Sequence, residues 1–463
     1  MIAFDNSYAR LPDRFYAKLP ATPVRAPKLR AWNAPLAGEL GIDLSAAERL
    51  DVFSGNAVPQ GADPLAALYA GHQFGNWNPQ LGDGRAILLG EVIGKSGQRW
   101  DIQLKGSGPT PFSRMGDGRN WVGPALREYV VSEAVHALGI PTTRALAITT
   151  TGETVLRERP LPGAVVTRVA RSHIRVGTFQ VFTARRDAAA LAALTDHVIA
   201  RHYPEATGPA ELLAAAVAAQ AKLIARWMGV GFIHGVMNTD NCHVAGDTID
   251  YGPCAFMDAY DPGKVFSSID QGGRYAYANQ PNIAAWNMAQ FATALLPLMD
   301  NQDAAIETFT EIVNSFAGTY QAAWIAEFGA KLGLSAPTEA DVPLITEFLK
   351  IAAEQNADFT LSFSTLADDL DAHPCATHPE FPDWRSAWQD RGADRALCAR
   401  TNPIVIPRNH MVEAAIASAV DDDWTPFDSL LAAVTSPFTA PSDPRFTTPP
   451  TANEEVRQTF CGT

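Results

Sequence analysis

The 463-residue chain lacks the features of a membrane protein or of a disulfide-stabilised one. No stretch approaches the roughly 20 apolar residues that span a bilayer, and the N-terminus, MIAFDNSYARLPDRFY, contains no apolar signal core. The five cysteines are few, odd in number and not arranged in CxxC pairs, which indicates neither a disulfide scaffold nor a zinc ribbon. We therefore expect a cytoplasmic protein that has no membrane partner.

An excess of basic residues is also missing. The formal net charge of −14 gives no general attraction to nucleic acid or to anionic lipid, so nucleic acid is not an expected partner. Any phosphate that the protein binds must meet a few locally placed cations. Hydrophobic residues make up 47% of the chain, which is too long for one ordinary core, so we expect two or three closely packed lobes.

The first third of the chain has strand patterns. AILLGEVI and RWDIQLKG, separated by the turn sequence GKSGQ, predict a hairpin that ends at Lys105. Apolar residues at helical spacing over 123–139 predict a helix with Glu128 off its apolar stripe. The segments TRALAITTTGETVLRE and GAVVTRVA are predicted to add strands and complete a small sheet-rich lobe.

Helical patterns dominate after about residue 185. A long apolar helix is predicted over 209–231 and leads into a loop, HGVMNTDN. The alternation around Gly246 predicts a short hairpin that brings Asp250 next to Asn241. Further helices are predicted over roughly 284–356, and the last helix is followed by a tail rich in Pro, Ser and Thr that we expect to be loosely ordered.

The loop HGVMNTDN has the outer frame of a protein-kinase catalytic loop. His234 and Asn241 stand at the spacing of the kinase His and Asn, between which an Asp holds the attacking hydroxyl. Val236 occupies the position of that Asp, and the nearest carboxylate is Asp240. His234 follows an apolar helix, a setting typical of a hydrogen-bonded structural residue, so we assign it no chemistry.

Further residues occur in the order found in kinases. A strand lysine, Lys105, is followed by a helix glutamate, Glu128, and then by Asn241 and Asp250-Tyr251-Gly252. In kinases the lysine neutralises phosphate charge and is held by the glutamate, while the Asn and Asp bind magnesium. Asn241 and Asp250 offer the oxygen ligands that magnesium prefers. The alternative is that the polar residues of this loop only cap turns.

Glycines and arginines elsewhere are candidates for phosphate binding. Glycine lets a backbone approach phosphate oxygens, and arginine can add a bidentate contact. These arginines could instead offset surface carboxylates. The candidates are Gly82, Gly84 and Arg85, the second glycine-bearing loop with Asp117 and Gly118, and the later pair Arg168 and Arg175.

Long motifs along the chain resemble the SelO family of protein adenylyltransferases, called YdiU in bacteria. The similarity covers essentially the whole chain. The segments that carry it are NSYARLPDRFYA, YAGHQFGNWNPQLGDGRAILLGE, LKGSGPTPFSRMGDGR, GFIHGVMNTDN, IDYGPCAFMD and NPIVIPRNH.

The resemblance implies an α+β, protein-kinase-like two-lobed fold in which ATP lies inverted relative to kinases. AMP would then pass from ATP to Ser, Thr or Tyr hydroxyls of proteins with release of pyrophosphate, and UTP is an alternative donor. We expect an N-terminal extension and sheet-rich N-lobe over 1–165 and a helical C-lobe over 166–345. A helical extension and flexible tail would follow over 346–463, in a monomeric protein.

Roles for individual residues also follow from the resemblance. Asp240 would be the proton acceptor, while Asn241 and Asp250 would bind Mg²⁺ or Mn²⁺. With an ordinary carboxyl pKa near 4, Asp240 would be ionised at neutral pH and act mainly by positioning the hydroxyl. Glu128 would pair with Lys105. The residues implied in nucleotide binding are Gly82, Gly84, Arg85, Lys105, Asp117, Gly118, Glu128, Arg168, Arg175 and Asp250.

Relatives in this family carry a cysteine or selenocysteine near the C-terminus, which in some of them forms a disulfide with the segment after the metal site. Cys461 matches the tail position, but Phe266 stands where the partner cysteine is expected. Cys254 is the alternative partner.

Two other functions compete with AMP transfer. A phosphotransferase that moves the γ-phosphate would be expected to have Asp rather than Val at position 236. A non-catalytic scaffold that binds nucleotide would have no evident need for both metal ligands.

Overall fold

A computed structural model describes residues 1–460 of the chain. Strands occur mainly in the first 170 residues. The strands are β1 (Tyr16–Lys18), β2 (Lys28–Trp32), β3 (Leu65–Ala67), β4 (Gly71–Gln73), β5 (Asn76–Asn78), β6 (Ala86–Ile93), β7 (Arg99–Lys105), β8 (Asn120–Trp121), β9 (Arg144–Leu156), β10 (Pro160–Ala170), β11 (Phe232–Ile233) and β12 (Ala255–Phe256).

The main sheet is antiparallel and has the strand order β1-β3-β6-β7-β10-β9-β2, with β8 paired to β10. The predicted hairpin is confirmed as β6 and β7, and it ends at Lys105. Lys105 lies opposite Val166 of β10, two residues before Arg168. Because side chains two residues apart share a face of a strand, Lys105 and Arg168 project from the same face of the sheet.

Helices predominate after residue 170, and three more lie between the strands before it. They are α1 (Ala34–Glu39), α2 (Ala46–Ser54), α3 (Val122–Ala137), α4 (Val176–Ala184), α5 (Ala188–His202), α6 (Pro209–Gly229), α7 (Gln280–Leu295), α8 (Gln302–Lys331), α9 (Val342–Glu354), α10 (Phe359–Ser364), α11 (Phe381–Asp390), α12 (Arg395–Thr401), α13 (Asn409–Val420) and α14 (Thr425–Val434). The fold is therefore mixed α/β, with an antiparallel sheet and many helices, and no helix within residues 1–460 is long and apolar enough to cross a membrane.

Helix α3 is buried on almost every side. One face packs on β9 and β10, and another is covered by α13 and α14 from the C-terminal part of the chain. As a result Glu128 is only 3% exposed although it lies off the predicted apolar stripe. A carboxylate buried in this way requires compensating cations.

The predicted hairpin around Gly246 is wrong. Residues 242–250 do not pair with one another; His243 instead forms a bridge with Arg175, and Thr248 forms one with Thr142. The alternating residues of this segment pair with distant segments of the chain rather than with each other.

The tail is more closely held than its composition predicted. Thr459 N–H donates to the Phe266 carbonyl at 2.8 Å, and Ser268 N–H donates to the Thr459 carbonyl at 3.0 Å. Such main-chain bonds fix the end of the described chain on the segment that follows Asp250.

The proposed lobe boundaries stay predictions. Strand β10 runs across position 165, and α9 runs across position 345. Domain limits usually fall in exposed linkers rather than inside elements. A division after Ala170 would leave the sheet whole.

Candidate active site

A cavity of about 560 Å³ lies where the sheet meets the 236–250 segment. Every residue predicted for the site lines this cavity except Glu128, which contacts the lining residue Lys105 from outside it. The predicted residues on the wall are Gly82, Gly84, Arg85, Lys105, Asp117, Gly118, Arg168, Arg175, Asp240, Asn241 and Asp250.

Two cations and two carboxylates form one ionic network at the floor of this cavity. Lys105 Nζ lies 2.8 Å from Glu128 Oε2 and 2.6 Å from Asp250 Oδ1. Arg168 binds the other oxygen of Glu128 and lies 2.8 Å from Asp250 Oδ1. Burial opposes ionisation of Asp250, but the charges of Lys105 and Arg168 outweigh it and hold the pKa of Asp250 well below its ordinary value. The network therefore keeps Asp250 ionised.

Asp250 adopts a left-handed backbone conformation with φ of +68°. Non-glycine residues rarely occupy this region, although Asp tolerates it better than most. Its contacts with Lys105 and Arg168 hold it there. Strain of this kind persists where the surrounding contacts over-determine the position of a functional side chain.

Asp240 lies in a turn of 3₁₀ helix, Thr239–Asn241, and is 7% exposed. Its Oδ2 accepts a hydrogen bond from Gln73 Nε2 at 3.0 Å, while no donor within residues 1–460 reaches the buried Oδ1. Burial raises the pKa of Asp240 to about 6, and the Gln73 bond partly offsets that rise. The expectation of an ordinary pKa near 4 is therefore wrong.

The hairpin β4–β5 causes this burial, and sequence reasoning missed it. Its turn residues, Phe74 and Gly75, have φ of +52° and +82°, as a two-residue type I′ turn requires. His72 N–H donates to Thr239 Oγ1 at 2.7 Å, and Phe74 N–H donates to Asn238 Oδ1 at 3.0 Å. The hairpin thus lies directly on the loop that carries Asp240. The signal in the sequence was the Phe-Gly turn between GHQ and NWN.

Gly71 is required for this fit. A Cβ at Gly71 would lie 2.6 Å from Asp240 Oδ1, closer than van der Waals contact allows. A side chain at this position would displace the carboxylate.

Asn241 presents an oxygen that suits a metal. Its Nδ2 donates to the Val236 carbonyl at 3.0 Å, which fixes the amide and leaves Oδ1 without a bonded donor in the described chain. Asp250 uses Oδ1 for both cations. One carboxylate and one amide oxygen beside a phosphate site are the donor set that Mg²⁺ uses, so these residues fit a divalent cation.

Asn238 has a structural role, which is what the alternative interpretation expected of the polar residues in the HGVMNTDN loop. Its Oδ1 accepts from Phe74 N–H and from Tyr275 O–H, the latter at 2.6 Å. His234 is structural as well, since Nε2 bonds the Ile249 carbonyl at 2.9 Å and the ring stacks on Trp227.

Arg175 is fixed at the start of α4. Its guanidinium lies 4.4 Å from the centre of the Tyr69 ring, its Nη1 donates to the His173 carbonyl at 2.9 Å, and Asp83 is 3.8 Å away. The buried Nε has no partner in the described chain. Arg175 is thus held rigidly with donor capacity left for an anion.

The glycine turn before β6 is tightly packed. A Cβ at Gly82 would lie 2.5 Å from the Phe112 ring, and one at Gly84 would lie 2.8 Å from the Phe112 carbonyl. Only glycine at positions 82 and 84 therefore lets this turn lie so close to Phe112. Arg85, which follows, is near enough for its charge to lower the pKa of Asp250.

Asp117 is paired with an arginine that sequence reasoning missed. Arg157 binds both of its oxygens, at 2.8 and 3.1 Å, and lines the cavity. The two residues are forty positions apart in the chain, so no local motif joins them. Gly118 follows with φ of +66°, and a Cβ there would collide with the backbone of Gly108.

The cavity is positively charged within an acidic protein. Seven basic side chains and four carboxylates line it, whereas the chain as a whole carries −14. The basic residues are Arg85, Lys105, Arg114, Arg119, Arg157, Arg168 and Arg175. Such a local excess attracts a polyphosphate that the rest of the surface repels.

The described residues include Cys254 and Phe266 but not Cys461, so they bear on only part of the disulfide prediction. Cys254 is buried and forms no disulfide with a cysteine in residues 1–460, and burial raises the pKa of its thiol to about 12, which disfavours the reactive thiolate. Phe266 is buried in the core. Cys461 lies outside the described residues, so its disulfide stays a prediction.

We expect Gln73→Leu to lower the rate of the AMP transfer that the resemblance implies about tenfold at pH 7. Removing one hydrogen bond to a carboxylate costs about 1.5 kcal/mol, because Asp240 is then held less firmly and its charge is less well stabilised. Loss of the donor also raises the pKa of Asp240, so the acidic limb of the pH–rate profile should move to higher pH. The matched control is Gln80→Leu, at an exposed glutamine that bonds Arg185 outside the cavity. Equal activity of Gln73→Leu and wild type across pH 5–8 would contradict this role.

Comparison with known proteins shows the family of this chain. Residues 1–435 match the family model described as "Protein adenylyltransferase SelO". The "Protein nucleotidyltransferase YdiU" of Roseobacter denitrificans is 60% identical over 465 residues, which cover 99% of both chains. Its namesake from Ruegeria pomeroyi is 58% identical over 468 residues, covering 100% of this chain and 99% of the relative. This chain belongs to the SelO family of protein adenylyltransferases.

Proposed function

We propose that this protein transfers AMP from ATP to Ser, Thr or Tyr hydroxyls of other proteins, with release of pyrophosphate. The observation that carries the proposal is the position of Asp240. It is a buried carboxylate with one unbonded oxygen, in the same cavity as the Lys105–Arg168 network, while Val236 stands at the position of the kinase base.

The proposed fold is protein-kinase-like. Support comes from a strand lysine held by a helix glutamate in a sheet-rich part, Lys105 with Glu128, followed by a helical part that carries Asn241 and Asp250. In that frame 1–165 is the N-terminal extension and N-lobe, 166–345 the C-lobe and 346–463 the C-terminal extension.

The proposed chemistry is an in-line displacement at the α-phosphorus. The acceptor hydroxyl oxygen forms a bond to this phosphorus, its proton passes to Asp240, and the bond to the bridging oxygen breaks so that pyrophosphate leaves. A base with a pKa of about 6 is largely ionised at neutral pH and still accepts a proton effectively. Lys105 and Arg168 hold the negative charge that develops on the phosphates.

Asn241 and Asp250 are the proposed ligands of Mg²⁺ or Mn²⁺. When bound, this ion disperses charge on the phosphate oxygens. The nucleotide would meet the two glycine turns and the arginines of the cavity wall. These proposed contacts are Gly82, Gly84, Arg85, Asp117, Gly118, Arg168 and Arg175, with Glu128 holding Lys105 from behind.

We propose that the chain acts as a monomer. Because the donor is ATP, the proposed place of action is the cytoplasm. UTP is an alternative donor.

Labelled ATP tests the proposal directly. With Mg²⁺ or Mn²⁺ and a cell lysate, we expect protein to become labelled from α-³²P-ATP and not from γ-³²P-ATP, because AMP retains only the α-phosphorus. The enzyme alone, incubated in parallel, shows self-modification. Label from the γ position would instead establish a phosphotransferase, and nucleotide binding with neither label would establish a scaffold.

A further inference from the structure

We propose that Arg274, held between aromatic rings beside the β4–β5 hairpin, binds an acidic side chain of the acceptor protein close to the hydroxyl that is modified. The inference rests on the proposed function and adds a sequence preference to it. It identifies the acceptor by chemistry: a Ser, Thr or Tyr with Asp or Glu a few residues away.

Arg274 is a fixed cation without a carboxylate partner. Its guanidinium lies 4.9 Å from the ring centre of Trp286 and 5.7 Å from that of Tyr275. No ion pair joins its guanidinium to a carboxylate within residues 1–460; Asp270 Oδ1 accepts from its main-chain N–H at 2.9 Å instead, and its Nε is buried without a hydrogen-bond partner in that range. By contrast, Arg157 and Arg168 each bind carboxylates of the protein itself.

The position of Arg274 points to the acceptor rather than to ATP. The cavity wall does not include it, so the nucleotide site is complete without its charge. A Cβ at Gly75 would lie 3.6 Å from its Cζ, which places the guanidinium at the tip of the hairpin. That hairpin also supplies Gln73, the hydrogen-bond donor to Asp240.

A second connection runs through the neighbouring residue. Tyr275 O–H donates to Asn238, two positions before Asp240, and its ring lies 5.0 Å from that of Phe74. Gln73 and Gly75 are two positions apart at the turn of the hairpin, so the guanidinium beside Gly75 lies only a few residues from the carboxylate that Gln73 bonds. The guanidinium is thus placed to meet a side chain two or three residues from the one whose hydroxyl faces Asp240.

The chemistry of the subsite favours a carboxylate. A guanidinium whose plane is fixed by aromatic faces offers a rigid fork that matches a carboxylate. Trp77, which is 40% exposed, contacts His72 with the ring centres 4.9 Å apart, and His72 lies against Trp286, the ring under the guanidinium, so exposed apolar surface continues from the subsite. Since the chain carries −14, an acidic segment is repelled in general and needs a local cation to bind.

Peptide sets with a central Ser, Thr or Tyr and fixed Asp, Ala or Lys at each flanking position test the proposal. With α-³²P-ATP, we expect wild type to label the best Asp set at least fivefold faster than its Ala counterpart. Arg274→Ala should abolish that preference, and Arg274→Glu should reverse it in favour of Lys. Arg385→Glu, an equal charge reversal at an arginine paired with Asp371, should keep the wild-type preference.

The possible outcomes distinguish a failure of this inference from a failure of the proposed function. If wild type labels itself or lysate proteins but no peptide position favours Asp, the inference is wrong and the proposed function stands. If it labels nothing from α-³²P-ATP, the function itself falls. A preference for phosphoserine over Asp would overturn the carboxylate assignment, and loss of ATP affinity in Arg274→Glu would show that Arg274 serves the nucleotide instead.

Discussion

Asp250→Asn should lower AMP transfer by about 10³-fold or more, because one substitution removes the proposed metal-binding oxygen and a charge that orients two cations. In the folded protein Lys105 and Arg168 both bind Asp250 Oδ1, at 2.6 and 2.8 Å. An amide in its place lacks the negative charge that fixes their positions. The measurement is the rate of label transfer from α-³²P-ATP over a range of Mg²⁺ or Mn²⁺ concentrations, and added metal should not restore the rate.

The backbone at this position supplies a matched control. Asp422 is also an aspartate in the left-handed region, with φ of +70°, but it is exposed and pairs with Arg30 far along the chain from the cavity. Asp422→Asn makes the same chemical change in the same backbone conformation. It should therefore retain wild-type activity. Near-normal transfer by Asp250→Asn, or an equal loss in both variants, would contradict the metal-site assignment.

Residue order along the chain was enough to predict the Lys105–Glu128 pair, but not the bonds of Arg168 to Glu128 and Asp250 that complete the ionic network. A strand lysine, a helix glutamate and an Asn–Asp pair have local signatures, and the predicted hairpin, α3 and α6 place them correctly. Arg157 has no such signature, because its pairing with Asp117 depends on how the loop after β9 lies over another loop. The same limit applies to Arg274, whose position over the ring of Trp286 is visible only in three dimensions.

The β4–β5 hairpin explains why the pKa of Asp240 was misjudged. A pKa depends on burial, and burial here comes from a hairpin about 165 residues earlier in the chain, whose Gly71 lies against the carboxylate. Strands of three residues give little periodicity to detect. In the same way, the hairpin expected near Gly246 failed because segments such as Thr142 offered pairing that no local pattern reveals.

Asp240→Asn should lower AMP transfer by about 10²- to 10⁴-fold, the usual contribution of a general base. The affinity for ATP should change little, since Asp240 bonds Gln73 rather than the basic residues of the cavity. Rates with labelled ATP and equilibrium binding of an unlabelled nucleotide measure the two effects separately. Unchanged transfer would remove Asp240 from the mechanism.

The same variant should make the protein more stable at neutral pH. Burial raises the pKa of Asp240 from 3.8 to about 6 in the folded state. Between these values the folded protein binds more protons than the unfolded chain, so the free energy of unfolding falls as pH rises through this window. Above about pH 6 the buried charge costs about 3 kcal/mol. Asp240→Asn has no such charge and should exceed wild type by about 1–3 kcal/mol at pH 8, with the difference vanishing below about pH 4.

Asp101 provides the control of opposite sign, because it is also a buried aspartate but is bound by Arg201 at 2.5 Å and by His173 at 2.9 Å. Although burial opposes ionisation of Asp101, these partners lower its pKa below the ordinary value, so Asp101→Asn should destabilise the protein at pH 8. Urea unfolding without metal or nucleotide, at pH 4 and pH 8, compares both variants with wild type. If Asp240→Asn is more stable than wild type at pH 8 and Asp101→Asn is less stable, the ionised Asp240 carboxylate destabilises the folded protein. Its presence would then be explained by its role in the reaction rather than by stability. If Asp240→Asn were less stable than wild type at pH 8, the carboxylate would have to be stabilised by partners other than Gln73, and its assignment as a base of raised pKa would fail.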